Sequence, residues 1–179
     1  EIIYVNTFGA NGKKLKDGSL KEVIVAALQN GKTAAAGTEV KVALDLGPLG
    51  EMLEPMGTLK FEEAYELFKE IILAGKDLAD LVVIETMTDL YEVRAAILAV
   101  TENSDLPVFV TMSFEEDERT FAGVSIESYV NSIAGLGVSA IGMNCSLGPV
   151  EMYDMAKRMC EITDVDIIIK PNAGLPNMD

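Results

Sequence analysis

A cysteine stands where a short apolar run ends. The stretch is "GVSAIGMNCSLGP", residues 137–149, in which Val138 to Met143 gives way to Asn144, Cys145 and Ser146, followed by Gly148–Pro149. A thiol at the end of a buried strand suits a metal ligand or a nucleophile. It equally suits a small packing residue, because free cysteine is often an inert core hydrophobe. Other apolar runs also end in polar groups: Asn6–Thr7, Asp45, Glu85–Thr86, Thr111 with Ser113, and Asn172. The chain has no histidine. General acid–base work would therefore fall to carboxylates, lysine, tyrosine or cysteine, and a metal would have to use Cys, Asp or Glu.

Six apolar runs carry these residues: "EIIYVNTF", "KVALDLG", "LVVIETM", "PVFVTMSF", "SAIGMNCS" and "VDIIIKPNAG". They are short, rich in β-branched residues and not alternating, which is the pattern of parallel strands covered on both faces. Helical patterns lie between them. Ser19-Leu20-Lys21-Glu22 reads as a capping box for a helix running toward Gly37. Thr58 precedes a stripe of Phe61, Ala64, Leu67, Phe68, Ile71 and Ile72 that stops at Gly75. Thr88 and Ser125 open two more helices, and Pro149 sits in the first turn of the last. Cys160 falls at a packing position of that last helix. The scattered methionines read as core filler. The acidic run "EEDER", 115–119, reads as a solvated loop, with a substrate lid as the alternative.

The strands recur every ~30–40 residues, the spacing of βα units. No G-x-G-x-x-G or P-loop turn is present. Six strands that each bring polar residues to one rim favour a barrel over an open sheet with a single switch point. The predicted fold is therefore α/β: an incomplete (β/α)8 TIM-type barrel of about six parallel strands, with residues 1–179 as a single truncated domain. The chain starts inside a strand and stops soon after the sixth. It reads as an internal piece of a larger barrel that lacks a strand at each end.

Composition narrows the partners. The chain has 179 residues, 14 Lys+Arg against 29 Asp+Glu, and a net charge of −15. That balance repels phosphate backbones and anionic lipid, so neither nucleic acid nor membrane is expected as a partner. Two cysteines do not make a disulfide scaffold, and the expected compartment is the cytoplasm.

Taken in order, "NTFGAN", "LDLGPLGEMLEPMGTL", "IETMTDLYEVRAAILA", "MSFEEDERTFAG", "GMNCSLGP" and "PNAG" resemble the homocysteine S-methyltransferase family, in its cobalamin-dependent branch. The blocks are weak singly and specific together, and they span nearly the whole chain. The resemblance implies a zinc-dependent methyltransferase that makes methionine from homocysteine and a methyl donor, most closely methylcobalamin. It maps Cys145 onto one of three cysteine ligands of zinc. It maps Glu85 onto the carboxylate that meets the substrate ammonium, and Asn172 onto a polar substrate contact. Asn6 and Thr7 fall on a substrate-side rim block, while Asp45 and Asn144 would hold loops and orient ligands. No side chain would attack carbon; the zinc-bound substrate sulfur would.

The family's Asp-Gly-x-x-Gly-Thr block and its Cys-Cys pair are absent from this sequence, as is any cobalamin-binding block. The zinc site is therefore expected to be incomplete here and the fragment inactive, with corrinoid and folate on other modules. Two other readings stand beside this one. Lys170 could form a Schiff base, as in barrel lyases and aldolases, against a plain reading as a strand-end lysine reaching solvent. Alternatively, the chain is a non-catalytic folded fragment. Its edges, Glu1–Phe8 and Val165–Lys170, would then pair with each other in a smaller closed sheet or with other copies.

Overall fold

The computed structural model describes residues 1–174. Strands and helices alternate along them: β1 (Ile2–Tyr4), α1 (Leu20–Ala35), β2 (Lys41–Leu46), α2 (Phe61–Gly75), β3 (Leu81–Met87), α3 (Leu90–Asn103), β4 (Val108–Met112), α4 (Ile126–Ile133), β5 (Ala140–Asn144), α5 (Pro149–Ile162) and β6 (Asp166–Lys170). All neighbouring strands pair in parallel, in the order β1-β2-β3-β4-β5-β6. The result is the predicted incomplete barrel, a curled half-barrel with its helices on the outside.

The strands read as unbroken apolar runs because both faces are used. Val42, Leu44 and Leu46 of β2, Val82 and Ile84 of β3, and Ile141 and Met143 of β5 turn outward. They pack under the helices with Ile24, Leu28, Phe68 and Ile97. The alternate residues turn inward, where Ala43, Leu81 and Val83 form a second cluster against Tyr4 and Phe109. Further along the same inward rows come Asp45 and Glu85, so the polar ends of the strands share the concave face.

Two contacts set the curvature on which the site depends. At Gly142 an added Cβ would lie 1.7 Å from the Ile168 carbonyl oxygen, so β6 can approach β5 only because that position carries no side chain. The buried Tyr129 hydroxyl donates to the Val110 carbonyl at 2.8 Å and accepts from Gly142 N–H at 3.2 Å, fixing α4 to β4 and β5. The curl brings the sheet's two edges within reach of each other: Lys170 Nζ of β6 lies 3.8 Å from the Tyr4 ring centroid of β1. The edges themselves do not pair, so the smaller closed sheet does not form among the described residues.

Several local expectations need correction. Ser19 precedes α1 but makes no cap bond; its hydroxyl donates to Asp17 at 2.7 Å instead, and the capping box is absent. Asp89, not Thr88, caps α3, accepting from Tyr91 N–H at 2.9 Å. Thr58 lies ahead of the Lys60 N-cap of α2 and donates to Glu51. Ser125 and Pro149 do open α4 and α5. Cys160 is exposed rather than core. Helix α5 buries Met152, Met155 and Met159, and the next residue is turned about 100° further round the helix. Most methionines do fill the core, although Met56 is exposed.

Candidate functional site

The site lies at the C-terminal ends of the strands. Pairing between β3 and β4 shifts register between Ile84 and Met87, and Thr86 takes a left-handed backbone conformation, φ 61°. A non-glycine residue there is strained, and such strain is held in place only by surrounding bonds. Those bonds come from β5. Asn144, fully buried, accepts from Thr86 N–H at 2.9 Å and from the Thr111 hydroxyl at 2.7 Å. Its amide nitrogen donates to Thr86 Oγ1 at 2.7 Å and to Cys145 Sγ at 3.1 Å. One side chain thus ties β3, β4 and the cysteine together.

Cys145 and Ser146 are also left-handed, at φ 61° and 56°. This double turn brings Cys145 Sγ to 3.8 Å from Thr86 Oγ1 and Ser146 to 2.6 Å from the Ser113 hydroxyl. Backbone bonds join the turn to the last strand: Cys145 N–H donates to the Lys170 carbonyl and Asn172 N–H to the Leu147 carbonyl. Asn172, half-buried, therefore stands beside the cysteine turn.

Next to this rim the half-barrel opens a cleft of about 770 Å³, lined by Tyr4, Asn6, Asp45, Glu85, Ile168 and Lys170 among others. Lys170 does not reach away into solvent as a strand-end lysine would. Its Nζ turns inward and donates to Glu85 Oε2 at 2.5 Å, under the Tyr4 ring. Asp45 is 5% exposed, and among the described residues its Oδ1 has no hydrogen-bond partner. Burial pushes its carboxyl up to about 7; the Glu85 charge adds to the rise, and Lys170 opposes it. Burial, with the Glu85 and Asp45 charges, raises the Tyr4 phenol to about 12.

The expected residues thus divide. Glu85, Asp45 and Asn6 line the cleft; Asn144, Cys145 and Asn172 form the adjoining rim. Thr86 joins the two, following Glu85 in sequence and touching Cys145. Thr7 is buried, and its hydroxyl is taken up by β2, donating to the Asp45 carbonyl at 2.8 Å and accepting from Asp45 N–H at 3.1 Å. Sequence reasoning missed Tyr4, although it shares strand parity with Asn6. It also missed Glu92, a buried carboxylate on α3 that accepts from Leu49 N–H at 2.7 Å and pins the loop after β2. Burial raises Glu92 to about 7, with the Leu49 bond opposing. The 115–119 loop is exposed apart from Glu118, which pairs with Arg158.

A zinc centre needs three or four protein ligands. Among the described residues no three of His, Cys, Asp and Glu are grouped to hold a metal ion. The nearest polar partners of the Cys145 thiol are an amide nitrogen and a hydroxyl. The described residues therefore do not fit a zinc centre. No described helix is long and apolar enough to cross a membrane.

A curled parallel sheet with outer helices, carrying its cleft and a cysteine turn at the C-terminal strand ends, places the molecule in the TIM-barrel fold class. The family model for homocysteine S-methyltransferase matches residues 1–179, and the chain belongs to that family. It is 29% identical to methionine synthase of Mycobacterium leprae over 191 residues and 29% identical to that of Mycobacterium tuberculosis over 194. Each match covers 98% of this chain but only 16% of the relative. The homocysteine methyltransferase MmuM of Escherichia coli shares the fold. Its metallated form superposes with a TM-score of 0.82 at 18% identity, over 97% of this chain and 67% of that one. Its oxidized form gives 0.85 at 18% identity, over 97% and 66%.

Proposed function

We propose that the cleft binds homocysteine, so that a methyl donor can convert it to methionine. The observation that carries this reading is the placement of Glu85. Its side chain is 13% exposed, lies in the cleft, and is one residue from the Thr86–Cys145 contact. Homocysteine has an ammonium group at one end and a thiol at the other. Glu85 meets the ammonium, and the thiol points toward the Cys145 turn. Asn6 contacts the amino-acid end within the cleft, and Asn172 contacts the substrate from the adjoining rim beside Cys145. Thr7 acts indirectly, by fixing the strand that carries Asp45. Asn144 sets the direction of the Cys145 thiol.

The attacking group is the substrate's own sulfur. It forms the new bond to the methyl carbon as the donor's bond to that carbon breaks, the electron pair of that bond staying with the donor and the thiol proton passing to water. The family resemblance assigns Cys145 the part of a zinc thiolate, and alone it does not make a centre. On this reading residues 1–179 are one domain, binding substrate without turnover of its own. The donor is methylcobalamin, with corrinoid and folate held by other modules, and the setting is cytoplasmic. The family membership and the likeness to methionine synthases support this reading.

Glu85→Gln tests it. A charge-assisted contact is worth about 1.5–3 kcal/mol, so homocysteine affinity should fall roughly 10- to 150-fold. Equal affinity of wild type and variant by calorimetry would remove Glu85 from the site.

A structural property accompanies this function. Among the described residues β1 and β6 each pair with one neighbour only, and open edges recruit further strands. We expect copies of the chain to associate through them. Light scattering that shows a monomer at every concentration up to the millimolar range would dismiss this.

A further inference from the structure

Glu85 is not a vacant anion waiting for a cation. Lys170 Nζ already occupies it, at 2.5 Å, and lies 3.8 Å from the Tyr4 ring centroid. A ring face on one side and a carboxylate on the other is an arrangement that holds an ammonium ion. A second carboxylate borders the same cleft. Asp45 is 5% exposed, and its Oδ1 accepts no hydrogen bond among the described residues. An unpaired, buried carboxyl oxygen beside an occupied ammonium position leaves an acceptor free for one more N–H. The lysine that fills the position is not locked there: its side chain is 38% exposed and hangs from an edge strand by a flexible stem.

We propose that Lys170 is the resident cation of the ammonium subsite and, once displaced, the counter-ion of the substrate's α-carboxylate. The incoming ammonium takes the place between Glu85 and the Tyr4 ring, with Asp45 Oδ1 accepting a second of its N–H bonds. Lys170 swings off Glu85 and onto the carboxylate carried by the same α-carbon. This inference rests on the reading that the cleft binds homocysteine by its amino-acid end.

The exchange conserves charge within the cleft. A zwitterion brings one cation for Glu85 and one anion for Lys170, so every charge is paired before and after. A simple amine brings a cation alone: it must evict Lys170 and leave that ammonium without a partner. An acid without the amine gives Lys170 a partner but leaves Glu85 bare. The cleft therefore selects α-amino acids over either half of one, and Lys170 sets the selection.

The experiment compares L-homocysteine with 3-aminopropane-1-thiol, which lacks the carboxylate, and with 4-sulfanylbutanoate, which lacks the amine. Each is titrated under reducing conditions into the wild-type protein and into Lys170→Met, Lys170→Arg and Glu85→Gln, with dissociation constants read by NMR. Wild type should prefer homocysteine over the amine by roughly 10-fold or more, the worth of a charged contact. Lys170→Met should bring the two within about 3-fold, partly by binding the amine more tightly than wild type does, because the competitor is gone. Lys170→Arg should restore the preference. Lys170→Gln replaces the Met variant if the latter does not fold.

A wild-type preference that survives in Lys170→Met would overturn the proposal and leave the homocysteine reading standing. Homocysteine binding that is unchanged by Glu85→Gln, or absent from wild type, would overturn both.

Discussion

Asn144→Ala should destabilise the protein by about 3–5 kcal/mol, because it strips partners from several buried groups at once. The Asn144 amide makes four hydrogen bonds, to Thr86 N–H, Thr86 Oγ1, the Thr111 hydroxyl and Cys145 Sγ. Thr111 is fully buried, and its hydroxyl has no second route to solvent. Thr86 is held at φ 61° against its own preference, and the bond from its N–H to Asn144 is part of what holds it. Removing the amide leaves a donor and a hydroxyl unsatisfied, opens a small void and releases the strained turn. Chemical denaturation measures the loss directly. A change below about 1 kcal/mol would mean that Asn144 is not the tie between the strands.

Asp45→Asn should act in the opposite direction and depend on pH. The Asp45 carboxyl is raised from an ordinary 3.8 to about 7, chiefly by burial. Between those two values the folded chain keeps a proton that the unfolded chain has released. The contribution of Asp45 to stability is therefore full below about pH 4 and is lost as pH rises through 7. At pH 8 the ionised, buried carboxylate costs up to roughly 4 kcal/mol, and an amide does not pay that cost. Asn should thus stabilise the protein at pH 8, with the gain shrinking toward zero near pH 4. Glu92 is raised in the same way but stays in both proteins, so the difference between them isolates Asp45. Denaturation curves across this range check it; a gain that is flat with pH would show that Asp45 is not held neutral by the fold.

Much of the fold was legible because parallel strands buried on both faces leave a simple trace. "LVVIETM" has no polar interruption until its rim residues, and all six runs became strands. The rim residues were legible for the same reason: polarity enters where the core stops. Facing was harder to read. "DIIIK" has three identical residues in a row, so nothing in it says which of them look inward. Only the outward packing of Ile167 and Ile169 beneath the helices reveals that Lys170 must point into the cleft.

Competition between near-equivalent partners hid the rest. Ser19 matched a capping pattern, but Asp17 lay closer to its hydroxyl. Thr7 matched a polar rim position, yet the backbone of β2 took both of its bonds. Cys160 missed the core by a single helical step. The meeting of Tyr4 with Lys170 depends on sheet curvature, which is set by Gly142 and Tyr129 across several strands and leaves no local signature.

The proposed function depends on where an amino acid sits in the cleft, and a structure of the protein with L-homocysteine bound is the most direct measurement of that. The expected result places the ligand nitrogen within hydrogen-bond distance of Glu85 Oε2, under the Tyr4 ring, with the thiol directed toward the Cys145 turn. A homocysteine bound outside the cleft, or inside it with the thiol at Glu85 and the ammonium toward Cys145, would contradict the account.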